Sequence, residues 1–321
     1  MADLRELARR LDYELMGRVE RALPLAPYTT YRIGGVADLA LFPADSEDLA
    51  LALSILAQEQ VPCWIMGGGS NVLVSDLGVR GAVILTTALT QLEVRGAELI
   101  AGAGVESHQV ALAAARAGLT GAEFLTCLPG SIGGASYMNA RAYGGELSQV
   151  LRRATVVRAG GIEELVLSPE QFSYKRSPFQ QREGTISEVT LALSRGDPAR
   201  VRERMDFIER ERRAKHEMDH PSCGCVLKND YSLGVSAGQL VEQCGLKGFR
   251  VGDAQVSPHH ANFVINLGQA TARQVYDVIQ HVQVTVAART GHRLEREVQL
   301  VGEWGDLGGD GEAAPGARLS G

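Results

Sequence analysis

Two dense clusters of glycine and serine constrain the fold of this chain more than any other feature. The first, Gly67-Gly68-Gly69-Ser70-Asn71, directly follows the apolar segment 63–66, and the second occupies residues 128–145. Because glycine lacks a Cβ and adopts positive φ, consecutive glycines let several backbone N–H groups converge on one anion. The clusters therefore predict two phosphate-binding loops and together favour a dinucleotide. For the first cluster alone, a tight turn between strands is the alternative.

Neither cluster matches a common nucleotide-binding fingerprint. No Gly-Lys-Ser/Thr sequence follows the first cluster, which excludes a Walker A loop. The nearest approach to the dinucleotide pattern, Gly102-Ala103-Gly104, has Ser107 where the third glycine is required. A nicotinamide-binding Rossmann domain is therefore not expected.

The residues expected to bind a cofactor come from these clusters and from the segment 30–35, where an arginine precedes two glycines. Asn139 is expected to bond a ring or a ribose, and Arg32 a phosphate or a ring, with a structural role as the alternative for Arg32. The full set is Arg32, Gly67, Gly68, Gly69, Ser70, Asn71, Pro129, Gly130, Ser131, Gly133, Gly134, Asn139, Tyr143 and Gly144.

Composition excludes several classes of protein. Of the 321 residues, 45% are hydrophobic and 22% are charged, which is typical of a soluble globular chain of about two domains. A formal net charge of -6 argues against nucleic acid as a partner, and no apolar run approaches the ~18 residues of a membrane span. Five cysteines, an odd number spread thinly, indicate free thiols in a reducing compartment such as the cytoplasm.

The order of predicted elements, many short strands with helices between them and then a smaller β/α unit, indicates an α+β fold. An amphipathic pattern over residues 1–23 predicts a helix rather than a signal peptide. The segment from Gly302 onward has seven glycines and no periodicity, which predicts disorder. The predicted divisions are an N-terminal helical segment 1–26, a cofactor-binding region of two subdomains 27–197, a substrate-binding domain 198–302 and a disordered tail 303–321.

Seven ordered motifs, each weak alone, together resemble the UDP-N-acetylenolpyruvoylglucosamine reductase family. The resemblance spans roughly residues 27–302, and the form of the later motifs is similar to the family's shorter type. The motifs are TTYRIGG (29–35), WIMGGGSNVLVSD (64–76), FLTCLPGSIGGASYMNARAYGG (124–145), FSYKRSPFQ (172–180), HPSCGCVLKND (220–230), AGQLVEQCGLKGFRVGDAQVSPHHANFVIN (237–266) and LEREVQLVG (294–302).

The resemblance implies an FAD-binding region of the vanillyl-alcohol-oxidase type, in two parts, and a smaller α/β domain for the substrate. In that family NADPH reduces FAD, and hydride then passes to the enolpyruvyl ether of a UDP-sugar, giving UDP-N-acetylmuramate for peptidoglycan synthesis. The implied cofactors are bound FAD and NADPH. The implied enzyme acts in the cytoplasm, as a monomer, on a small-molecule UDP-sugar, with no metal, membrane or nucleic acid.

The resemblance also suggests the catalytic residues. Glu297 matches the glutamate of the family's last motif, and a carboxyl in a dry pocket can stay protonated and donate a hydrogen bond. Cys225 stands where the family usually has its serine proton donor, and a thiol, with a pKa of about 8.5, is the stronger acid but is open to oxidation. A surface glutamate and a small buried cysteine are the alternative interpretations.

The family's catalytic arginine is the point of departure, because Lys175 occupies its position and Arg176 follows. Either Lys175 serves in its place without bidentate contact, or a local shift brings Arg176 into the site. If this segment is a strand, neighbouring side chains face opposite ways and both cannot serve.

The expected substrate-binding residues are Tyr174, Lys228, Asn229, His260 and Asn262. The pair His259-His260 is not expected to bind metal, because adjacent side chains in a strand diverge and no carboxylates accompany them. Three other functions remain as alternatives: a flavoenzyme of the same scaffold acting on a different substrate, a degenerate flavin-binding protein with weak turnover, and a scaffold without cofactor.

Overall fold

A computed structural model describes residues 3–215 and 219–305. In the first half the elements are α1 (Leu4–Glu14), β1 (Arg18–Pro24), β2 (Val36–Phe42), α2 (Ser46–Gln58), β3 (Cys63–Met66), β4 (Val72–Val74), β5 (Val79–Leu85), β6 (Leu92–Arg95), β7 (Glu98–Gly102), α3 (Ser107–Arg116), β8 (Leu119–Thr120), α4 (Ile132–Tyr137), β9 (Arg141–Ala142), β10 (Gly145–Glu146) and α5 (Leu147–Val150). They are followed by β11 (Leu151–Arg158), β12 (Gly161–Val166), β13 (Thr185–Ala192), β14 (Ser194–Arg195), α6 (Pro198–Lys215), α7 (Ala237–Gln243), β15 (Arg250–Val251), β16 (Ala254–Val256), β17 (Val264–Asn266), α8 (Ala272–Thr290) and β18 (Gln299–Val301). This mixture confirms the α+β class.

Two sheets form the larger part of the molecule. The first has the order β1-β2-β5-β3, in which β2, β5 and β3 run parallel and β1 is antiparallel to β2. The helix α2 connects β2 to β3, and Asp45 caps it by accepting a hydrogen bond from the Asp48 backbone (2.8 Å). The second sheet, β12-β11-β13-β7-β6, is antiparallel throughout, and β11 and β12 form a hairpin in it.

The predicted helix over residues 1–23 is wrong in its second half. The helix α1 ends at Glu14, and Arg18–Pro24 forms the strand β1 at the edge of the first sheet. The backbone N–H groups of Met16 and Gly17 donate to the Asp48 carboxylate, which turns the chain back towards α2. Pairing along β2 satisfies the backbone groups of this segment, and this tertiary contact overrides the local helical pattern.

The C-terminal part has its own small sheet, β15-β16-β17, packed against α8. The apolar face of α8 includes Val275, Val278 and Ile279, and Thr271 with Gln274 forms a capping box at its start. The last strand, β18, leaves this part and pairs in parallel with β4. Strand β18 therefore joins the C-terminal part to the glycine cluster beside β4. The limits predicted for the domains stay predictions.

The tail is ordered where the structure describes it. The Glu303 backbone N–H donates to the Gly78 carbonyl (3.0 Å), and the Trp304 indole donates to the Val301 carbonyl (3.2 Å) and packs near Tyr276. The prediction of disorder is therefore wrong for residues 303–305, because Trp304 finds an apolar surface; residues 306–321 lie outside the described part. In the described ranges, no helix has the length and apolar character needed to cross a membrane.

Candidate active site

The two glycine clusters pack directly against each other. A Cβ added to Gly68 would lie 2.7 Å from both the Gly130 Cα and the Ser131 nitrogen, and one added to Gly67 would lie 2.5 Å from the Ser131 hydroxyl. The Ser131 hydroxyl accepts hydrogen bonds from the backbone N–H groups of Gly68 (3.2 Å) and Gly134 (3.4 Å). Glycine is needed here because the two backbones are in contact, so both clusters form one continuous cradle.

A cavity of about 610 Å³ opens along this cradle, within the usual range of ligand pockets. Two helices and several loops from both halves of the chain contribute to its walls. Of the residues predicted to bind cofactor, the cavity is lined by Gly67, Gly68, Gly69, Ser70, Asn71, Pro129, Ser131, Gly133, Gly134 and Tyr143. A cradle free of Cβ atoms and edged by serine hydroxyls fits the diphosphate of a dinucleotide such as FAD.

Replacing Gly68 with alanine is expected to abolish flavin binding. The new methyl group would overlap the Gly130 backbone, and overpacking of this kind costs about 1–3 kcal/mol of the free energy of unfolding. Purified G68A protein should have lost most of its flavin absorbance. Gly161 is the matched control, because an added Cβ there meets nothing within 4 Å and its φ is not positive. A yellow G68A protein with the flavin content of G161A would contradict the assignment of the cradle.

Lys175 and Glu297 form an ion pair within the same cavity. The Lys175 Nζ lies 2.5 Å from the Glu297 Oε1, and the two side chains are 19% and 8% exposed. Burial raises the pKa of the Glu297 carboxyl, and the charges of Lys175 and Lys228 oppose that rise. The pair therefore places a cation and a buried carboxyl side by side at the wall of the cavity.

Arg176 does not reach this site. Ser173 and Arg176 exchange backbone hydrogen bonds (3.1 and 3.0 Å) across a two-residue turn in which Lys175 has φ 58°. The segment is a turn and not a strand, and the turn directs Lys175 into the cavity while Arg176 is exposed. The prediction of Arg176 as a catalytic residue is therefore not supported by its position, and Lys175 alone occupies the arginine position of the family motif.

Cys225 lines the cavity close to this pair. Burial, and then the nearby charge of Glu297, raise the pKa of the Cys225 thiol to about 12, against the opposing charges of Lys175 and Arg212. The thiol is therefore protonated at neutral pH and available as a proton donor. A raised pKa of the thiol argues against ready oxidation, which requires the thiolate, and the expected reactivity towards oxidants stays a prediction.

Two asparagines predicted to bind ligands are instead bonded to the protein. The Asn139 amide donates to the Ser173 carbonyl (3.0 Å) and to Glu146, and its oxygen accepts from the Ser148 backbone (3.1 Å). Asn262 donates to and accepts from the backbone of Leu227. Both side chains are buried and bonded to other parts of the protein, so their positions do not support contact with a ring, a ribose or a substrate.

Three further predicted residues lie off the cavity. Arg32 is exposed, with φ 54°, and its backbone N–H donates to Thr29 (3.1 Å). His260 is half-buried, where its Nδ1 accepts from the Asn262 backbone (3.2 Å) and its ring packs near Phe263. Gly144, with φ 84°, is exposed beside Tyr143 and serves the turn. Gly130 contributes its backbone to the cradle from behind.

The other predicted substrate residues group at one edge of the site. The Tyr174 hydroxyl accepts from the Asn229 backbone N–H (3.2 Å), and its ring meets the exposed Tyr231 edge-on at 5.0 Å. Lys228 pairs with Glu295 (3.2 Å) and its charge still acts on Glu297. None of the three predicted residues lines the cavity, but the Tyr174 ring lies 6.0 Å from the Lys175 Nζ.

The sequence did not indicate two residues of α6 that also line the cavity. Arg212 and Lys215 lie at the end of a charged helix, whose pattern suggests only a solvated surface. Burial lowers the pKa of Arg212. In the described part of the chain, its Nε and the Tyr143 hydroxyl are buried polar atoms without a hydrogen-bond partner. Unsatisfied groups of this kind in a cavity wall fit an anionic ligand.

No group of three or more His, Cys, Asp or Glu side chains within residues 3–215 and 219–305 is arranged to hold a metal ion. The Cys223 thiol is buried against the Tyr31 hydroxyl, and burial raises the pKa of that thiol to about 12. Cys223 is therefore part of the protein interior, and both Cys223 and Cys225 line the cavity.

Comparison with known proteins agrees with this geometry. Residues 216–301 match a family model described as the C-terminal domain of UDP-N-acetylenolpyruvoylglucosamine reductase, and residues 37–165 match an FAD-binding domain. The UDP-N-acetylenolpyruvoylglucosamine reductase 2 of Symbiobacterium thermophilum is 43% identical over 90% of this chain and 93% of its own length. The reductase of Pediococcus pentosaceus is 41% identical over 87% and 93%.

A solved structure is similar as well. The crystal structure of UDP-N-acetylenolpyruvylglucosamine reductase from Thermus caldophilus is 34% identical to this chain. It covers 89% of this chain and all of its own length, with a TM-score of 0.76.

Proposed function

The chain belongs to the UDP-N-acetylenolpyruvoylglucosamine reductase family, and we propose that its cavity reduces UDP-N-acetylglucosamine enolpyruvate to UDP-N-acetylmuramate for peptidoglycan synthesis. The enzyme is an oxidoreductase that uses NADPH and bound FAD. One observation carries this proposal: Lys175, Glu297 and Cys225 meet in a single cavity beside the glycine cradle. The first two supply charge and the third supplies a proton.

The reaction converts the carbon–carbon double bond of the enolpyruvyl ether into a single bond. The glycine cradle of Gly67, Gly68 and Ser131 would hold FAD, which, once reduced by NADPH, would supply the hydride for the methylene carbon. Negative charge then develops next to the substrate carboxylate, where the Lys175 ammonium stabilises it in a site of low exposure. Glu297 holds that ammonium in place.

Cys225 completes the reaction by giving its proton to the carbon beside the methylene carbon. The C–H bond forms as the S–H bond breaks, and the thiolate that remains recovers a proton from solvent. The high pKa of the thiol keeps the proton in place until charge has developed on the substrate. The nearby charges of Lys175 and Arg212 stabilise the thiolate when it forms.

The anionic UDP-sugar is held, in this proposal, by the groups along the cavity. The unpartnered Nε of Arg212 and the ammonium of Lys215 suit the diphosphate, because both are cations that line the wall. Tyr174, Lys228 and Asn229 stay proposed substrate contacts, since the Tyr174 ring lies near Lys175, the Lys228 charge acts on Glu297, and Asn229 bonds Tyr174.

We propose further that the enzyme acts in the cytoplasm as a monomer. All five cysteines are free, which suits a reducing compartment. The groups assigned to cofactor and substrate all come from one chain, so the site needs no second copy.

The proposal is tested by following flavin absorbance in an anaerobic cuvette. NADPH should bleach the flavin absorbance bands, and this reduction of the flavin is called the first half-reaction. UDP-N-acetylglucosamine enolpyruvate should then restore the bands, and this reoxidation by the substrate is called the second half-reaction. Bleaching without recovery would contradict the assigned substrate, and would favour a related flavoenzyme or a protein with weak turnover. A colourless protein that cannot be reconstituted with FAD would contradict the proposal as a whole.

A further inference from the structure

Cys225 and Glu297 are held by one short stretch of backbone. The segment 225–227 forms antiparallel bridges with Phe263 on one side and Arg296 on the other. The Val226 backbone N–H donates to the Asn262 carbonyl (2.9 Å), and its carbonyl accepts from the Glu297 N–H (2.8 Å). Val226, the chain neighbour of Cys225, is therefore joined to Glu297 by one main-chain hydrogen bond and to Asn262 by another, so a shift of this segment moves both Cys225 and Glu297.

The Asn262 side chain completes this pairing where the main chain does not. Its Oδ1 accepts from the Leu227 N–H (3.0 Å), and its Nδ2 donates to the Leu227 carbonyl (2.8 Å). Asn262 is 2% exposed. Without its amide, the Leu227 N–H and carbonyl would have no water as an alternative hydrogen-bond partner. The amide thus takes the place of a strand partner and fixes the segment from the side opposite Glu297.

We propose that Asn262 is a positioning residue for proton transfer, which holds the Cys225 thiol in register with Glu297 and Lys175. This inference rests on the proposed function. The geometry carries it, because the Asn262 carbonyl bonds Val226 and the Asn262 amide bonds Leu227, the two residues that follow Cys225 in the chain.

Asn266 provides a matched control in the same part of the fold. It is 3% exposed, its amide donates to the Tyr31 carbonyl (3.0 Å), and its oxygen accepts from Gly268 (2.8 Å) and Ala270 (3.0 Å). The two asparagines are therefore similarly buried, and each bonds backbone groups through its side chain, with two bonds for Asn262 and three for Asn266. The Asn266 side chain bonds no residue of the segment 225–227. Loss of stability alone should affect N262A and N266A alike.

The experiment measures both half-reactions of the FAD-loaded enzyme by stopped flow. N262A is expected to slow the second half-reaction about 100-fold, the usual effect of a misplaced catalytic group, and to leave the first unchanged. N266A should change neither. In a C225A background, N262A should add little, because the residue acts through Cys225. Equal slowing of both half-reactions by N262A, or a full further loss in the C225A background, would overturn the inference.

Two additions keep the inference separate from the proposed function. If N262A does not fold, N262D is the second variant, since it keeps the acceptor for the Leu227 N–H and loses the donor to the carbonyl. Hydrogen exchange of the segment 225–228 should rise in the Asn262 variants and not in N266A, whatever the substrate. Unchanged exchange would contradict the positioning role, whereas a wild-type enzyme that fails the second half-reaction would contradict only the proposed function.

Discussion

Replacement of Cys225 with alanine is expected to slow the second half-reaction by about 10²–10⁴-fold, the usual contribution of a positioned proton donor. The first half-reaction should be unchanged, because the thiol gives its proton only to the substrate. Serine at this position should keep much of the activity, since the hydroxyl has a proton to donate in the same place. Stopped-flow measurement of flavin bleaching and recovery separates the two steps.

Cys244 is the matched control for this experiment. It is a cysteine of the same C-terminal part, buried in the apolar core at 4% exposed, and it is not among the residues that line the cavity. C244A should lose some stability and keep both half-reactions. Recovery of flavin absorbance by C225A at the wild-type rate would exclude Cys225 from the mechanism.

The Cys225 thiol also predicts the response to pH and oxidants. Because burial raises the pKa of this thiol to about 12, the donor stays protonated through neutral and moderately alkaline pH. The second half-reaction should therefore not lose its proton donor between neutral pH and about pH 10, two units below that pKa. Mild peroxide treatment should leave the enzyme active, and rapid inactivation that C225S resists would show that the thiolate is accessible.

Replacement of Lys175 with alanine is expected to reduce the rate of the second half-reaction by about 10²–10³-fold, as for loss of one preorganised charge at a reaction centre. The change removes the cation 2.5 Å from Glu297 and leaves that carboxyl buried without its partner. Its pKa should rise further, because the Lys175 charge is the main factor that opposes the effect of burial. A pH profile of the second half-reaction should therefore shift to higher pH.

Arg176 is the natural control, since it is the neighbouring cation on the same turn and is exposed. R176A should keep the wild-type rates of both half-reactions. K175R should retain activity, because arginine keeps the positive charge and, like lysine, can adopt the backbone conformation of position 175. A severe loss in R176A with an active K175A would reverse the assignment and return the catalytic role to Arg176.

Much of this architecture can be predicted from local sequence. The helix α8, the hairpin of β11 and β12 and the strand that precedes the first glycine cluster follow from patterns of apolar residues and caps that act within a few positions. The glycine clusters are equally local, because a backbone that must contact another backbone needs several glycines in a row. The residue types at 175, 225 and 297 were likewise readable in sequence.

Contacts between distant segments were not predictable in the same way. The sequence assigned Asn139 to a ring or a ribose, and the family resemblance assigned Asn262 to the substrate, but in the structure these amides bond Ser173 and Leu227. The charged pattern of α6 did not indicate that Arg212 lines the cavity. The amphipathic pattern of residues 1–23 predicted a helix where the structure has the strand β1.

The sequence by itself determined the family, the cofactor-binding loops and the chemical identity of the catalytic groups, because these depend on which residue types stand in a fixed order. Only the tertiary structure decided which side chains face the cavity. A turn and not a strand at Lys175 selects that residue over Arg176, and pairing around Val226 brings Cys225 to Glu297. The physical reason is that hydrogen-bond capacity is a property of each residue, whereas the partner that uses it is set by segments far apart in the chain.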